Sequence, residues 1–147
     1  MAAFLQEGLP IHIATRNADL QPSGARVTAV KVHADHQHIV AFVPKVSAAP
    51  ILADLAANGQ VALGFVRPAD VRACQVKGVF VESRAVTARE RAFVMEQYER
   101  RHASLEVVGY PRAGTTKWRM WPCVAVRLRV TALFSQTPGP GAGAPLR

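Results

Sequence analysis

The side chains best suited to chemistry in this sequence are a group of histidines, two cysteines and a dispersed excess of arginine. His33, His36 and His38 lie close together, and imidazole is the commonest metal-ligating side chain. No cluster of carboxylates or cysteines completes a ligand set, and alternation sends His36 and His38 to one face of a hairpin turn. A solvated turn is the expected role, with no metal. His12 and His102 are expected to be packing or surface residues. Cys74 and Cys123 are the only cysteines, too few for a disulfide framework or a four-cysteine metal site, so both are expected reduced and structural. The sequence has neither a Gly-x-Ser-x-Gly elbow nor a cysteine with an evident base, which argues against nucleophilic hydrolysis.

Charge is the more telling signal. The 147 residues carry 14 Arg and 4 Lys against 10 acids, a formal charge of +8, so the surface field attracts anions. The basic residues form no run of five or six, which argues against a nucleic-acid-binding arm. A phosphorylated small molecule satisfies the same field. No apolar run approaches the roughly 20 residues of a membrane span, and the start Met1-Ala2-Ala3-Phe4-Leu5 lacks a basic segment before an apolar stretch. The expected compartment is the cytoplasm. The length suits one domain, expected over 1–136, with a Pro/Gly-rich tail over 137–147.

The elements that must position any site read as follows. Ile11, Ile13 and Thr15 alternate with His12 and Ala14 as a strand, and Asn17 to Gly24 forms its exit loop. Ala25 to Val32 and His38 to Val43 flank Asp35-His36-Gln37 as an antiparallel hairpin. Ser47 is placed to cap a helix over Ala48 to Asn58, with Ile51, Leu52 and Leu55 as its apolar stripe, Pro50 in its first turn and Asn58-Gly59 as its stop. Val61 to Val66 and Ala73 to Val86 are further strands, and Gly78 marks a bend or a close backbone approach. Thr87-Ala88-Arg89-Glu90 has capping-box spacing and opens a helix over Ala88 to Arg101, with Val94, Met95, Tyr98 and Leu105 along its apolar face. Cys123 to Phe134 is the last strand, with Val124, Val126, Leu128 and Val130 on one face and Arg127 and Arg129 on the other. The prolines and glycines after Gln136 continue neither helix nor strand.

Six strands with two inserted helices make a mainly β chain. Within it, Arg26-Val27-Thr28-Ala29-Val30-Lys31 and Cys74-Gln75-Val76-Lys77-Gly78 stand at a telling interval, and the chain ends Phe134-Ser135-Gln136-Thr137-Pro138-Gly139-Pro140-Gly141-Ala142-Gly143. In these features the chain resembles the pyridoxamine 5'-phosphate oxidase-like, FMN-binding split-barrel family. That resemblance implies a six-stranded antiparallel split barrel with inserted helices. It also implies a flavin ring beside Arg26, Val27, Thr28, Ala29, Val30 and Lys31, with Gln75 as a ring contact, and a homodimer with cofactor clefts at its interface. The implied function is FMN-dependent oxidoreduction on a small substrate.

Two departures qualify it. The family's Ser-Arg-Lys phosphate segment is replaced by Ser47-Ala48-Ala49, which leaves Lys45, Ser47 and the helix N-terminus to hold a phosphate. The oxidase's histidine-containing substrate motif is absent around Arg127-Leu128-Arg129, so pyridoxamine-phosphate oxidation itself is not expected. Trp118 and Trp121 lie near the family's flavin-edge tryptophan, and aromatic packing explains them equally well. Two alternatives stay open: a non-enzymatic module that has lost flavin, and a haem- or deazaflavin-binding relative.

Overall fold

Alternating apolar residues become strands because each such segment can bury one face while satisfying its backbone laterally. The computed structural model describes residues 1–146. Its strands are β1 (Ile11–Arg16), β2 (Pro22–Val27), β3 (Ala29–Val32), β4 (His38–Pro44), β5 (Gln60–Val66), β6 (Ala73–Ala85) and β7 (Cys123–Ser135). Its helices are α1 (Ala2–Leu5), α2 (Lys45–Asn58), α3 (Ala88–Glu106) and α4 (Arg112–Thr115).

All strand pairs are antiparallel, in the order β2-β1-β5-β6-β7-β4-β3. Only Thr28 separates β2 from β3 in the chain, so the two edges of the sheet are consecutive and the sheet closes into a barrel. The expected single strand Ala25 to Val32 is therefore two strands, which makes seven where six were read. Val27 pairs with Ile11 of β1 while Ala29 pairs with Phe42 of β4, and one straight strand cannot follow both neighbours around a closing barrel. The bend is held by the Thr28 N–H donating to the Phe42 carbonyl (2.9 Å) and the Thr28 hydroxyl donating to the Met120 carbonyl (2.6 Å).

Ile13, Val27, Leu63, Val126 and Leu128 point inward and are almost fully buried, and Ile51 and Leu55 of α2 join that core. Asp54 is buried beside them and accepts from the Thr15 hydroxyl at 2.7 Å, which satisfies a carboxylate that would otherwise be costly there. A second, smaller cluster lies outside the barrel, where Val94 of α3 meets Ala29, Val40, Phe42 and Ala125. This contact clamps α3 against the outer face of the sheet.

Several local readings are corrected. The expected exit loop Asn17 to Gly24 is shorter, because Pro22 to Gly24 pair with β1 and the turn is closed by the Asn17 side chain accepting from the Gln21 N–H (2.9 Å). Ser47 is not the cap of α2: the helix begins earlier, at Lys45, with Pro44 at the cap position and no capping side chain. Pro50 consequently lies inside the helix, where the Val46 carbonyl loses its partner, and Val46 is exposed to water. Gly59 closes α2 in the left-handed conformation, as read.

The Thr87–Glu90 capping box is present in both directions, and Arg84 reinforces it by donating to both Glu90 oxygens (2.7 and 2.9 Å). α3 then continues beyond Arg101 to Glu106. Gly8 touches its side, where a Cβ would run into the Arg100 Cβ, so only glycine lets the N-terminal segment pass. Gly78 sits at a register shift between β6 and β7, and a Cβ there would meet the Arg129 carbonyl at 2.7 Å. The segment after Gln136 is not loose within the described residues. It turns back onto β7, with Leu146 donating to the Leu133 carbonyl (2.8 Å) and packing against the main core.

Candidate functional site

Pairing register assembles a row of side chains that sequence distance keeps apart. Arg26 lies opposite His12, His12 opposite Gly64, Gly64 opposite Gln75, and Gln75 opposite Phe134. Their neighbours Val27, Ile11, Phe65 and Cys74 fill the interior, so the row faces outward. Three strand spacings of about 4.8 Å put Arg26 roughly 14 Å from Gln75. Gly64 stands between them with nothing within 4 Å of where a Cβ would be, so the middle of the row is a flat, open floor.

Strict alternation would put Arg26 and Lys31 on opposite faces. The bend at Thr28 resets the phase. Thr28 and Ala29 both turn outward, towards Met120 and towards the α3 cluster, so Lys31 emerges on the outer surface as Arg26 does. Val27, Thr28, Ala29 and Val30 are all buried, with Val27 and Val30 inside the barrel, and can offer a ligand little beyond backbone. Lys31 pairs with Val40 on β3, the far edge of the sheet order from β2.

Lys45 and Ser47 lie at the start of α2, outside the row. The Lys45 N–H is already used by the Pro122 carbonyl (2.8 Å), and the Ser47 hydroxyl turns back to the Pro44 carbonyl at 3.3 Å. The Lys45 ammonium is exposed and unpaired among the described residues. Arg26 and Gln75 thus share a surface; Lys45 and Ser47 are not joined to it by any contact.

The Arg26 end of the row is roofed. The last turns of α3 and the following loop border a half-open cavity of about 330 Å³ lined by Pro10, Ile11, His12, Arg26, Val66, Pro68, Arg101, Leu105, Val108, Tyr110 and Trp118. The Arg26 guanidinium lies 4.3 Å from the Trp118 ring centre, a cation–π contact that fixes its direction. Arg101 is 2% exposed, and its Nε and Nη2 have no hydrogen-bond partner. Burial, with the Arg26 charge nearby, pushes the Arg101 guanidinium down to about 10, while Tyr98 acts in the opposite direction. Burial and then the Arg26 charge also lower His12, which favours its neutral form.

Sequence reasoning missed Arg101 as a site residue, although a signal was present. Val94, Tyr98, Arg101 and Leu105 are spaced as one helical stripe, so the arginine occupies an apolar-face position. His102 is fully buried, with Nδ1 2.5 Å from the Thr115 hydroxyl and its ring edge against Tyr98. That is the packing role expected of it.

The histidine turn is organised by Asp35, which accepts from the Gln37 and His38 N–H groups and contacts His38 Nδ1 at 2.7 Å. The described residues contain no group of three His, Cys, Asp or Glu side chains arranged to hold a metal. Cys74 and Cys123 are buried and unpaired, and burial pushes the Cys74 thiol up to about 11, which makes it a poor nucleophile. No described helix is long and apolar enough to cross a membrane.

No family model matches the chain, and no curated protein matches it. Solved structures do. An F420 reductase superposes with a TM-score of 0.60 at 18% identity, covering 89% of this chain and 93% of that one. An FMN-binding protein from Syntrophomonas wolfei gives 0.58 at 10% identity, with 91% and 82% covered. A candidate pyridoxamine 5'-phosphate oxidase from Lactobacillus delbrueckii gives 0.52 at 13% identity, with 86% and 84% covered. At these identities the likeness establishes the fold, a split barrel of the kind these proteins share.

Proposed function

We propose that this protein binds FMN and works as an FMN-dependent oxidoreductase on a small substrate. The observation that carries the proposal is the outward row Arg26, His12, Gly64 and Gln75, whose open centre and cationic end suit a planar anionic cofactor. The names of the structural neighbours, an FMN-binding protein and an F420 reductase among them, support a flavin-type group.

A bound flavin supplies electron transfer at its ring. The chain's contribution is position and electrostatics. The Gln75 carboxamide offers one donor group and one acceptor to polar ring edges, while Gly64 leaves room for the ring plane. The β2–β3 backbone at Val27 to Val30 borders the ring, Arg26 and Lys31 supply positive charge, and Lys45 with Ser47 is the proposed phosphate end. These cations favour an anionic, electron-rich cofactor.

A row exposed to solvent needs a second wall to exclude water, and a second copy of the chain provides one in a two-fold homodimer. At a charge of +8 per chain, such a dimer gains from an anionic ligand at its seam.

The test is an absorption spectrum of the purified protein, followed by FMN titration into flavin-free protein and into Gln75→Ala and Lys45→Ala. Flavin bands and an affinity loss of about tenfold in each variant are expected, the size of one charge-assisted or buried hydrogen bond. Unchanged affinity in both variants removes the assignments, and haem or deazaflavin bands in the isolated protein replace the cofactor. Sedimentation is expected to report twice the 15.9 kDa chain mass. A monomer that binds FMN stoichiometrically refutes the shared site.

A further inference from the structure

Arg101 is held in a place that an arginine occupies at a cost. Its guanidinium is buried between α3, Tyr98 and Trp118, with ring centres at 5.0 and 6.0 Å, and no acidic side chain lines the cavity it faces. Buried arginines are ordinarily matched by carboxylates or by several carbonyls. Here the two nitrogens without partners, Nε and Nη2, are closed off from solvent and form one side-on edge of the guanidinium plane, which reaches a ligand in the cavity once the side chain turns towards it. That edge is the one that pairs with two oxygens of a single oxyanion in parallel.

The rest of the cavity defines what carries the oxyanion. Arg26 and His12 are the other ionisable groups with nitrogen donors, and both lie on the β1–β2 wall. The opposite and end walls are apolar or aromatic: Val66, Pro68, Leu105, Val108 and Trp118. Roughly 330 Å³ is at the small end of ligand sites, which suits a compact molecule with one charged end.

We propose that this cavity is a binding site for a small organic carboxylate with an apolar or aromatic body, its carboxylate paired side-on with Arg101 and flanked by Arg26. The body lies between Trp118 and the Val66–Pro68 wall. This ligand is distinct from the cofactor proposed for the open row, although Arg26 and His12 border both, and its binding does not depend on flavin.

The probe is sodium benzoate, titrated by calorimetry and by tryptophan fluorescence into the full-length, flavin-free protein. One saturable site per chain is expected, weakened by at least about tenfold in Arg101→Met, as for loss of a bidentate charge-assisted pair. Arg89→Met, an exposed arginine earlier on the same helix, is expected to bind as wild type. Arg101→Lys keeps the charge without the planar fork and is expected to bind more weakly than wild type. If Arg101→Met does not fold by circular dichroism, Arg26→Gln on the solvent side of the cavity gives the same reading, with weaker binding expected.

Absence of saturable benzoate binding up to about 10 mM, where affinity falls below that of a single useful anchor, overturns the proposal. Equal binding by wild type and the cavity variants does the same. Inorganic phosphate binding as tightly as benzoate overturns the requirement for an apolar body. Competitive displacement of benzoate by FMN shows the cavity to be the flavin's own anion seat and overturns the second-ligand assignment. Flavin retention is read separately from the absorption spectrum, so failure of either proposal leaves the other identifiable.

Discussion

Replacing Arg101 by Met is expected to stabilise the ligand-free protein. Met has a similar reach and fills the same space between Tyr98, Leu105 and Trp118, without a charge to desolvate. A fall of the Arg101 guanidinium from the ordinary arginine range to about 10 corresponds to about 3 kcal/mol of unfavourable burial, at roughly 1.4 kcal/mol per pKa unit. The cation–π contacts with Tyr98 and Trp118 are lost in the variant, at about 0.5–1 kcal/mol each. The difference is a gain of about 1–2 kcal/mol in unfolding free energy.

Urea denaturation at pH 7 reads it as a higher midpoint at unchanged slope, and thermal melting as a rise of about 3–8 °C for a chain of this size. Titration with alkali is a poorer assay. Stability attributed to Arg101 rises as pH climbs above about 10, because the unfolded chain binds more protons there. Cys74 opposes it, since its thiol, raised to about 11 from 9.0, loses stability over the interval between those values. Saturating benzoate should narrow or close the gap between the two proteins, because at 100 times the wild-type dissociation constant it stabilises wild type by about 2.7 kcal/mol and a tenfold weaker variant by about 1.4 kcal/mol. A ligand-free Arg101→Met protein less stable than wild type by 1 kcal/mol, roughly one lost hydrogen bond, would falsify the reasoning, because the guanidinium would then have a partner.

Glu90→Gln is expected to cost about 2 kcal/mol at pH 7, discounted from a larger nominal value because Arg84 is 39% exposed. Arg84 first, with help from Thr87, holds the Glu90 carboxyl at about 2 against an ordinary 4.5, so wild-type stability from this source is complete above 4.5 and is lost as pH falls through 2. The gap between the two proteins should shrink over that interval in denaturation midpoints, and a constant gap would assign the role to packing. Gly78→Ala is expected to lose about 2 kcal/mol, since its new methyl meets the Arg129 carbonyl and Leu128 at 2.7 Å. Gly64→Ala meets nothing within 4 Å, so its melting temperature should stay near that of wild type while FMN affinity falls. Unchanged FMN affinity in Gly64→Ala would argue against a ring over that floor.

Much of the fold was legible in the sequence because the relevant forces are local. Alternation in Ile11 to Thr15 and in Cys123 to Phe134 marks which side chains point inward, and Thr87 with Glu90 marks the start of α3, since both signals act within one strand or one turn. Gly78 announced a close approach, though not its partner. Sequence resemblance singled out Arg26 and Gln75, and the two share an outward row because the β2-β1-β5-β6 register aligns them. That register is a property of pairings between distant segments, which neither short segment contains.

The bend at Thr28 is likewise tertiary, since closing the barrel requires one strand to serve both sheet edges and thereby brings Arg26 and Lys31 to the outer surface. The meaning of Arg101 is decided at the same level. On an isolated helix it is one more cation near the end, solvated and unremarked. Only when the end of α3 meets His12 and Arg26 across the cavity and Trp118 folds against Arg26 does the Arg101 guanidinium lose water without gaining an acid, and an ordinary residue becomes part of a site.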